Sequence, residues 1–116
     1  FRSRRTHILV KPSAVGLLTN VVITTDRRVY HVQEGSNIIG RSNDADLRLP
    51  DTGVSRQHAE ITWNGQDAVL VDLQSTNGTT VNETPIDNWL LADGDVITMG
   101  HSHIEVRITG LDSHSY

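Results

Sequence analysis

The segment His103-Ile104-Glu105-Val106-Arg107-Ile108 alternates without a break, its aliphatic residues on one side and its polar ones on the other. A two-residue period is that of a strand with one face buried. A helix repeats every 3.6 residues and would scatter the same residues around its axis. The same period puts Ala59, Ile61 and Trp63 on one face with His58, Glu60 and Thr62 opposite, and it recurs at Val69, Val71 and Leu73, which are expected to face inward. Asn64-Gly65 lies between these two runs and reads as a hairpin turn. Further strands are expected at Val21–Thr25, Val29–Gln33, Asn37–Ile39, Leu47–Leu49, Thr80–Val81 and Val96–Met99, with Asp26-Arg27-Arg28 joining the first two. Turn residues punctuate the chain every eight to twelve positions, at Glu34-Gly35, Pro50-Asp51, Asn77-Gly78 and Asp93-Gly94-Asp95. No helix of any length is expected. Regular short strands of this kind predict a sandwich or a barrel.

Composition agrees. Val, Ile and Thr make up 33 of 116 residues and Ala only 5, a balance that favours strands over helices. The length suits one domain. We read it as a body over residues 20–110, a basic arm or linker over 1–19 with a candidate strand at His7–Val10, and a tail over 111–116. The chain begins at Phe1, as a piece of a longer protein would. With no cysteine there is neither a disulfide framework nor a thiolate metal site, as in a cytoplasmic protein. No apolar run approaches the roughly 20 residues of a membrane span. The net charge of −4 is unevenly distributed. Residues 1–11 carry four cations and no acid, and residues 12–116 carry six arginines against fourteen acids. So acidic a body argues against nucleic acid as a partner, because phosphate backbones need a basic face.

Three polar clusters fall in connections rather than in strands: Gly40-Arg41-Ser42, Ser55-Arg56-Gln57-His58 and Gln74-Ser75-Thr76-Asn77-Gly78-Thr79. Loops at one end of a sandwich converge, and function is built there. Together these clusters supply two guanidiniums, several hydroxyls, an amide and a flexible backbone, which is the chemistry of an anion site. Each residue alone has a plainer reading. Arg41 and Arg56 could pair with Asp44 or Asp51, Ser55 could cap a turn, and His58 reads as a structural histidine at a strand start. His101 and His103 share a face but lack a third metal ligand.

The order and spacing of the clusters are more specific. Asn37-Ile38-Ile39-Gly40-Arg41-Ser42, Asp46–Leu49 with Val54–Ala59, Asp72–Asn82 and Leu91–Gly100 together resemble the forkhead-associated (FHA) domain family, from about Val21 to Ile108. Leu49–His58 is most similar to FHA domains of actinobacterial proteins that act with Ser/Thr kinases. The resemblance implies an all-β sandwich of two mainly antiparallel sheets, about eleven strands, with functional loops at one end. It implies a module that binds phosphothreonine in partner proteins, kinases or their substrates, as a monomer without cofactor or catalysis. By matched position, Arg41 ion-pairs with the phosphate, and Ser55 and Thr76 donate hydroxyls to it. Arg56 contacts the phosphate or the peptide backbone, and Asn77 bonds the peptide main chain. Gly40, His58 and Gly78 hold loop shape. The resemblance also points to the rim at Gly53, Asn82 to Pro85 or His101-Ser102 as the reader of the third residue after the phosphothreonine. Two rivals remain at this stage: a sandwich that binds partners without phosphate, and a hydrolase using Ser55 and His58.

Overall fold

A computed structural model describes residues 19–110, which form eleven strands and no helix. The strands are β1 (Thr19–Thr24), β2 (Val29–His31), β3 (Gly35–Gly40), β4 (Leu47–Arg48), β5 (Ala59–Trp63), β6 (Ala68–Asp72), β7 (Thr80–Val81), β8 (Thr84–Pro85), β9 (Asn88–Leu90), β10 (Val96–Met99) and β11 (Ser102–Gly110). One sheet has the order β2-β1-β11-β10-β7-β8 and the other β4-β3-β5-β6-β9. All pairings are antiparallel except the short β3–β4 pair. The candidate strand at His7–Val10 lies outside the described residues.

The alternating residues become the core. Ile104 and Val106 of β11, Ala59 and Ile61 of β5, Val21 and Ile23 of β1, and Ile97 and Met99 of β10 are all buried between the sheets. At β6 the inward face is the other one. Ala68 and Leu70 are buried, whereas Val69, Val71 and Leu73 are half-buried. Register is the cause: Leu70 sits opposite Ile61 and Ala68 opposite Trp63, and directly opposed residues share a face. Both faces of β6 are apolar, so its period could not distinguish them. Strands β8 and β9 were not foreseen. Pro85 is tolerated because β8 is an edge strand, where one row of backbone groups needs no partner. At the far end of the sandwich, the Asn64-Gly65 turn forms as expected, with Gly65 at φ 97° and the Asn64 side chain accepting from the Gln66 and Asp67 amides.

Two backbone approaches fix the end that carries the polar clusters. A Cβ on Gly40 would lie 2.0 Å from the Arg56 carbonyl oxygen, so the β4–β5 loop rests directly on the end of β3. Arg41 N–H donates to the Ser55 carbonyl at 2.9 Å and Ser42 N–H to the Arg56 carbonyl at 3.1 Å, which continues the pairing beyond β3. Gly53 and Gly100 meet in the same way: a Cβ on Gly100 would lie 2.8 Å from the Gly53 carbonyl carbon. This contact joins a loop of one sheet to the β10–β11 turn of the other.

Gly40→Ala should therefore destabilise the domain by about 3 kcal/mol, the upper part of the overpacking range. The melting temperature should drop by at least about 10 °C, given about 4–8 °C per kcal/mol for a domain this size. Thermal unfolding followed by circular dichroism checks this, and an unchanged melting point would contradict the approach.

Candidate functional site

The β1–β2, β3–β4, β4–β5, β6–β7 and β10–β11 connections all emerge at this end, as the strand directions require. Their mutual geometry depends on His58, whose side chain is fully buried. Its Nδ1 accepts the Ser55 backbone N–H at 3.0 Å, so the ring proton belongs on Nε2, which donates to the Gly78 carbonyl at 2.9 Å. The His58 backbone carbonyl accepts from Leu73 N–H. One imidazole thus bridges the β4–β5 and β6–β7 loops. With both nitrogens engaged, it offers no base to the Ser55 hydroxyl.

Asp72, at the end of β6, orders the third loop. Its Oδ1 accepts the Ser75 and Thr79 hydroxyls, both at 2.6 Å, and its Oδ2 accepts the Ser75 amide at 3.1 Å. Burial raises the Asp72 pKa, but the hydrogen bonds from Ser75 and Thr79, with the nearby His58, outweigh it and leave the pKa below the ordinary 3.8. Gly78, at φ 84°, takes the left-handed turn that closes this loop, and its amide donates to the Ser75 hydroxyl.

On this scaffold the five predicted contact residues come together. Arg41 is exposed, and its Nε donates to the Val54 carbonyl at 3.0 Å, which steadies the guanidinium. Ser55 Oγ accepts the Thr76 N–H at 3.1 Å and keeps its own hydrogen for another acceptor. The Thr76 hydroxyl and the Arg56 guanidinium are exposed, with no partner among the described residues. Asn77 Nδ2 donates to the Gly53 carbonyl at 3.0 Å, leaving its side-chain oxygen free. Arg41 and Arg56 flank an open cleft of about 500 Å³ together with Arg48, Ser42, Pro50 and Thr52. Neither forms an ion pair: of the arginines among the described residues, only Arg107 does, with Asp93 and Glu105. The plainer reading, arginines paired with Asp44 or Asp51, is not what the structure shows.

Asp51 is engaged elsewhere. Its oxygens accept the Ser102 hydroxyl and the His101 amide at 2.7 Å each, the Gly53 amide at 2.8 Å and His101 Nδ1 at 3.2 Å. The Ser102 hydroxyl leads, burial opposes it, and the Gly53 and His101 bonds add to it, so the carboxyl is held far below the ordinary range. Asp51, Asp72 and Arg48 did not stand out from the sequence as parts of the site. The signal available was weak, a carboxylate at a strand end three residues before a Ser, or two before a Gly. Of the rim residues, Gly53 and His101 line a shallow cleft with Asn77. Asn82 and Glu83 do not. They form the left-handed β7–β8 turn, where the Asn82 side chain bonds Asp95 and Val96 N–H, and they border a separate depression sharing Thr98. His103 Nδ1 bonds the Thr98 hydroxyl.

Residues 37–100 match the family model for the FHA domain. The chain belongs to the FHA domain family. It is 67% identical over 81 residues to FhaA of Mycobacterium tuberculosis, an alignment covering 70% of this chain and 15% of FhaA. It is 44% identical over 71 residues to the glycogen accumulation regulator GarA of Mycolicibacterium smegmatis, covering 61% of this chain and 44% of GarA. The chain therefore spans less than half of these relatives. Among solved structures it is similar to the FhaA FHA domain complexed with the intracellular domain of Rv3910, with 62% identity and a TM-score of 0.74 over 75% of this chain and 99% of that one. It is also similar to M. tuberculosis EmbR in complex with a low-affinity phosphopeptide, at 32% identity and a TM-score of 0.73, covering 78% of this chain and 24% of that one.

His58→Ala should cost about 3 kcal/mol, because it opens a cavity at a fully buried ring and leaves the Ser55 amide and the Gly78 carbonyl without their partner. Chemical denaturation should show that loss, while phosphopeptide affinity of the folded fraction falls less. Unchanged stability with lost binding would make His58 a ligand contact instead.

Asp51 and Asp72 give a sign to the pH dependence. Carboxyls whose pKa is lowered by folding stabilise the fold above their unfolded value near 3.8, and that stability is lost as pH falls through the folded values. Urea unfolding between about pH 2 and pH 7 should show stability declining below about pH 4. Asp51→Asn should start less stable at neutral pH and decline less in acid. A parallel decline in both proteins would remove Asp51 from the account.

Proposed function

We propose that this domain, over residues 20–110, binds phosphothreonine-containing segments of partner proteins at the β3–β4, β4–β5 and β6–β7 loops, and does so without catalysis. The observation that carries this is the pair Arg41 and Arg56, unneutralised beside the Ser55 and Thr76 hydroxyls at one end of an acidic domain. A phosphothreonine brings up to two negative charges and three acceptor oxygens. In this reading Arg41 and Arg56 pair with the phosphate, and Ser55 and Thr76 donate to it. Asn77 bonds the peptide main chain, and Gly40, His58 and Gly78 hold the loops. The Rv3910 complex and the EmbR phosphopeptide complex support the reading by family. So does a further similar structure, from work on phosphothreonine-dependent FHA domain interactions, with a TM-score of 0.75 and 62% identity. The partners fit kinases or kinase substrates of the cytoplasm.

Discrimination follows from the same chemistry. Aspartate and glutamate offer one charge on a planar group and mimic the ligand poorly. Threonine exceeds serine by one methyl, a difference worth about 1–3 kcal/mol in a fitted pocket.

Arg41→Ala should remove about 2–5 kcal/mol of binding, weakening a micromolar interaction about 30-fold or more, with the fold intact. Calorimetry of one peptide in its phosphothreonine, phosphoserine, glutamate and unmodified forms tests the assignment. Equal affinity for phosphorylated and unmodified peptide would end it. The same titration at pH 7.5 and pH 5.5 should show weaker binding in acid. Arginines that prefer the phosphate dianion lower its pKa in the complex, so affinity falls as pH drops through the free value near 6.

A further inference from the structure

Nine arginines occur in the chain, and three of them precede residue 19. Of the six that remain, five stand around two adjoining clefts at the binding end, and the sixth, Arg107, is paired with Glu105 and Asp93. All fourteen acids except Asp112 fall among the described residues, yet only Asp26, Asp44 and Asp51 border either cleft. The cations of this acidic domain are thus concentrated at one place.

The first cleft is that of Arg41, Arg48 and Arg56. The second, about 520 Å³, runs between the β1–β2 turn and the β4–β5 loop, with Arg27, Arg28 and Arg48 on its walls. Arg48 and Pro50 line both clefts. Arg28 Nη2 donates to the Arg48 carbonyl at 3.2 Å, and Arg48 Nε donates to the Arg41 carbonyl at 3.3 Å. These two bonds chain the β1–β2 turn, β4 and the phosphate loop together, and both end on neutral oxygens. Among the described residues none of Arg27, Arg28 and Arg48 has an ion-pair partner. Of the two acids on the second cleft, Asp51 is engaged by Gly53, His101 and Ser102, and Asp26 pairs with no cation. Like charges gathered without counter-charge raise the energy of the free domain, and an anion laid across them relieves it.

We propose that the cleft of Arg27, Arg28 and Arg48 is a second anion subsite. It takes a carboxylate or a second phosphate carried by the same peptide, a few residues from its phosphothreonine. The inference rests on the reading that the phosphothreonine occupies the Arg41 cleft. An extended peptide advances about 3.3 Å per residue, so two to four residues span about 7–13 Å. Two clefts that share a wall can be bridged by such a segment. The ligand class is then a phosphothreonine segment with a second negative residue at one fixed offset.

The test is calorimetry of the domain with a phosphothreonine peptide of neutral flanks. Phosphoserine, aspartate or asparagine is placed in turn at each position up to four residues on either side. One offset should raise affinity about tenfold with phosphoserine and less with aspartate, and asparagine should add nothing. A gain from both would mark the subsite as open to either anion, and equal gains would mean that charge alone is read. In Arg27→Gln/Arg28→Gln the gain should disappear, while the neutral-flank peptide binds as before. Wild-type binding of the neutral-flank peptide with no gain at any offset would overturn the subsite and leave the phosphothreonine reading standing. A gain that survives in the double variant would overturn it as well. Failure of the neutral-flank peptide to bind at all would overturn both. Raised salt should weaken the doubly anionic peptide more than the singly anionic one.

Discussion

The buried His58 ring is the interaction on which this end of the molecule depends. Loops at the end of a sandwich have no ladder to hold them, and their backbone groups must find partners or face water. Here one ring satisfies the Ser55 amide on one side and the Gly78 carbonyl on the other. The Ser55 hydroxyl and the Asn77 amide, which belong to different loops, therefore keep a fixed relation. Asp72 extends the arrangement through Ser75 and Thr79, and Asp51 does the same for the β10–β11 turn. Each group is polar and buried or half-buried, and each is satisfied. No side-chain polar atom is left buried without a partner among the described residues.

In the proposed reading, affinity for phosphate arises where this scaffold stops neutralising its own charge. The carboxylate of Asp51 bonds a hydroxyl and amides instead, those of Ser102, His101 and Gly53, and Asp44 forms no ion pair with an arginine among the described residues. Arg41 and Arg48 are steadied by carbonyls, which position a guanidinium without cancelling it. The result is a cleft of three arginines, none of them ion-paired, with Asp44 as its one acid, in a domain of negative net charge. The two kinds of residue follow different logics. His58, Asp72 and Asp51 are chosen for completeness of bonding, and the arginines for its absence.

Much of this was legible in the sequence. Strands with one wet face, such as β5 and β11, declare themselves by strict alternation. The candidate site residues were picked out by the ordered resemblance, since Arg41 or Ser55 alone carries no such signal. β6 was misread because Ala-Val-Leu-Val offers an apolar residue on both faces, and only its register against β5 decides between them. β8 and β9 were missed because two or three residues carry no period, and β8 also contains a proline. The support given by Asp51 spans 50 residues of sequence to His101, a separation that no local pattern reports. Arg48 stayed unnoticed for a related reason, as it reads as an ordinary outward residue of a short strand until the β1–β2 turn is folded beside it.

The meeting of Gly53 with Gly100 has a kinetic meaning. Two loops from opposite sheets meet backbone to backbone, and the Asp51 carboxylate ties them by accepting from the Gly53 and His101 amides. The receptor is then assembled before any ligand arrives, and the ordering entropy of complex formation falls on the peptide alone. In the proposed reading, encounter is set by electrostatic steering toward the arginines, which differs little between phosphorylated segments of equal charge. Partners are then told apart by how long each stays bound rather than by how quickly it arrives.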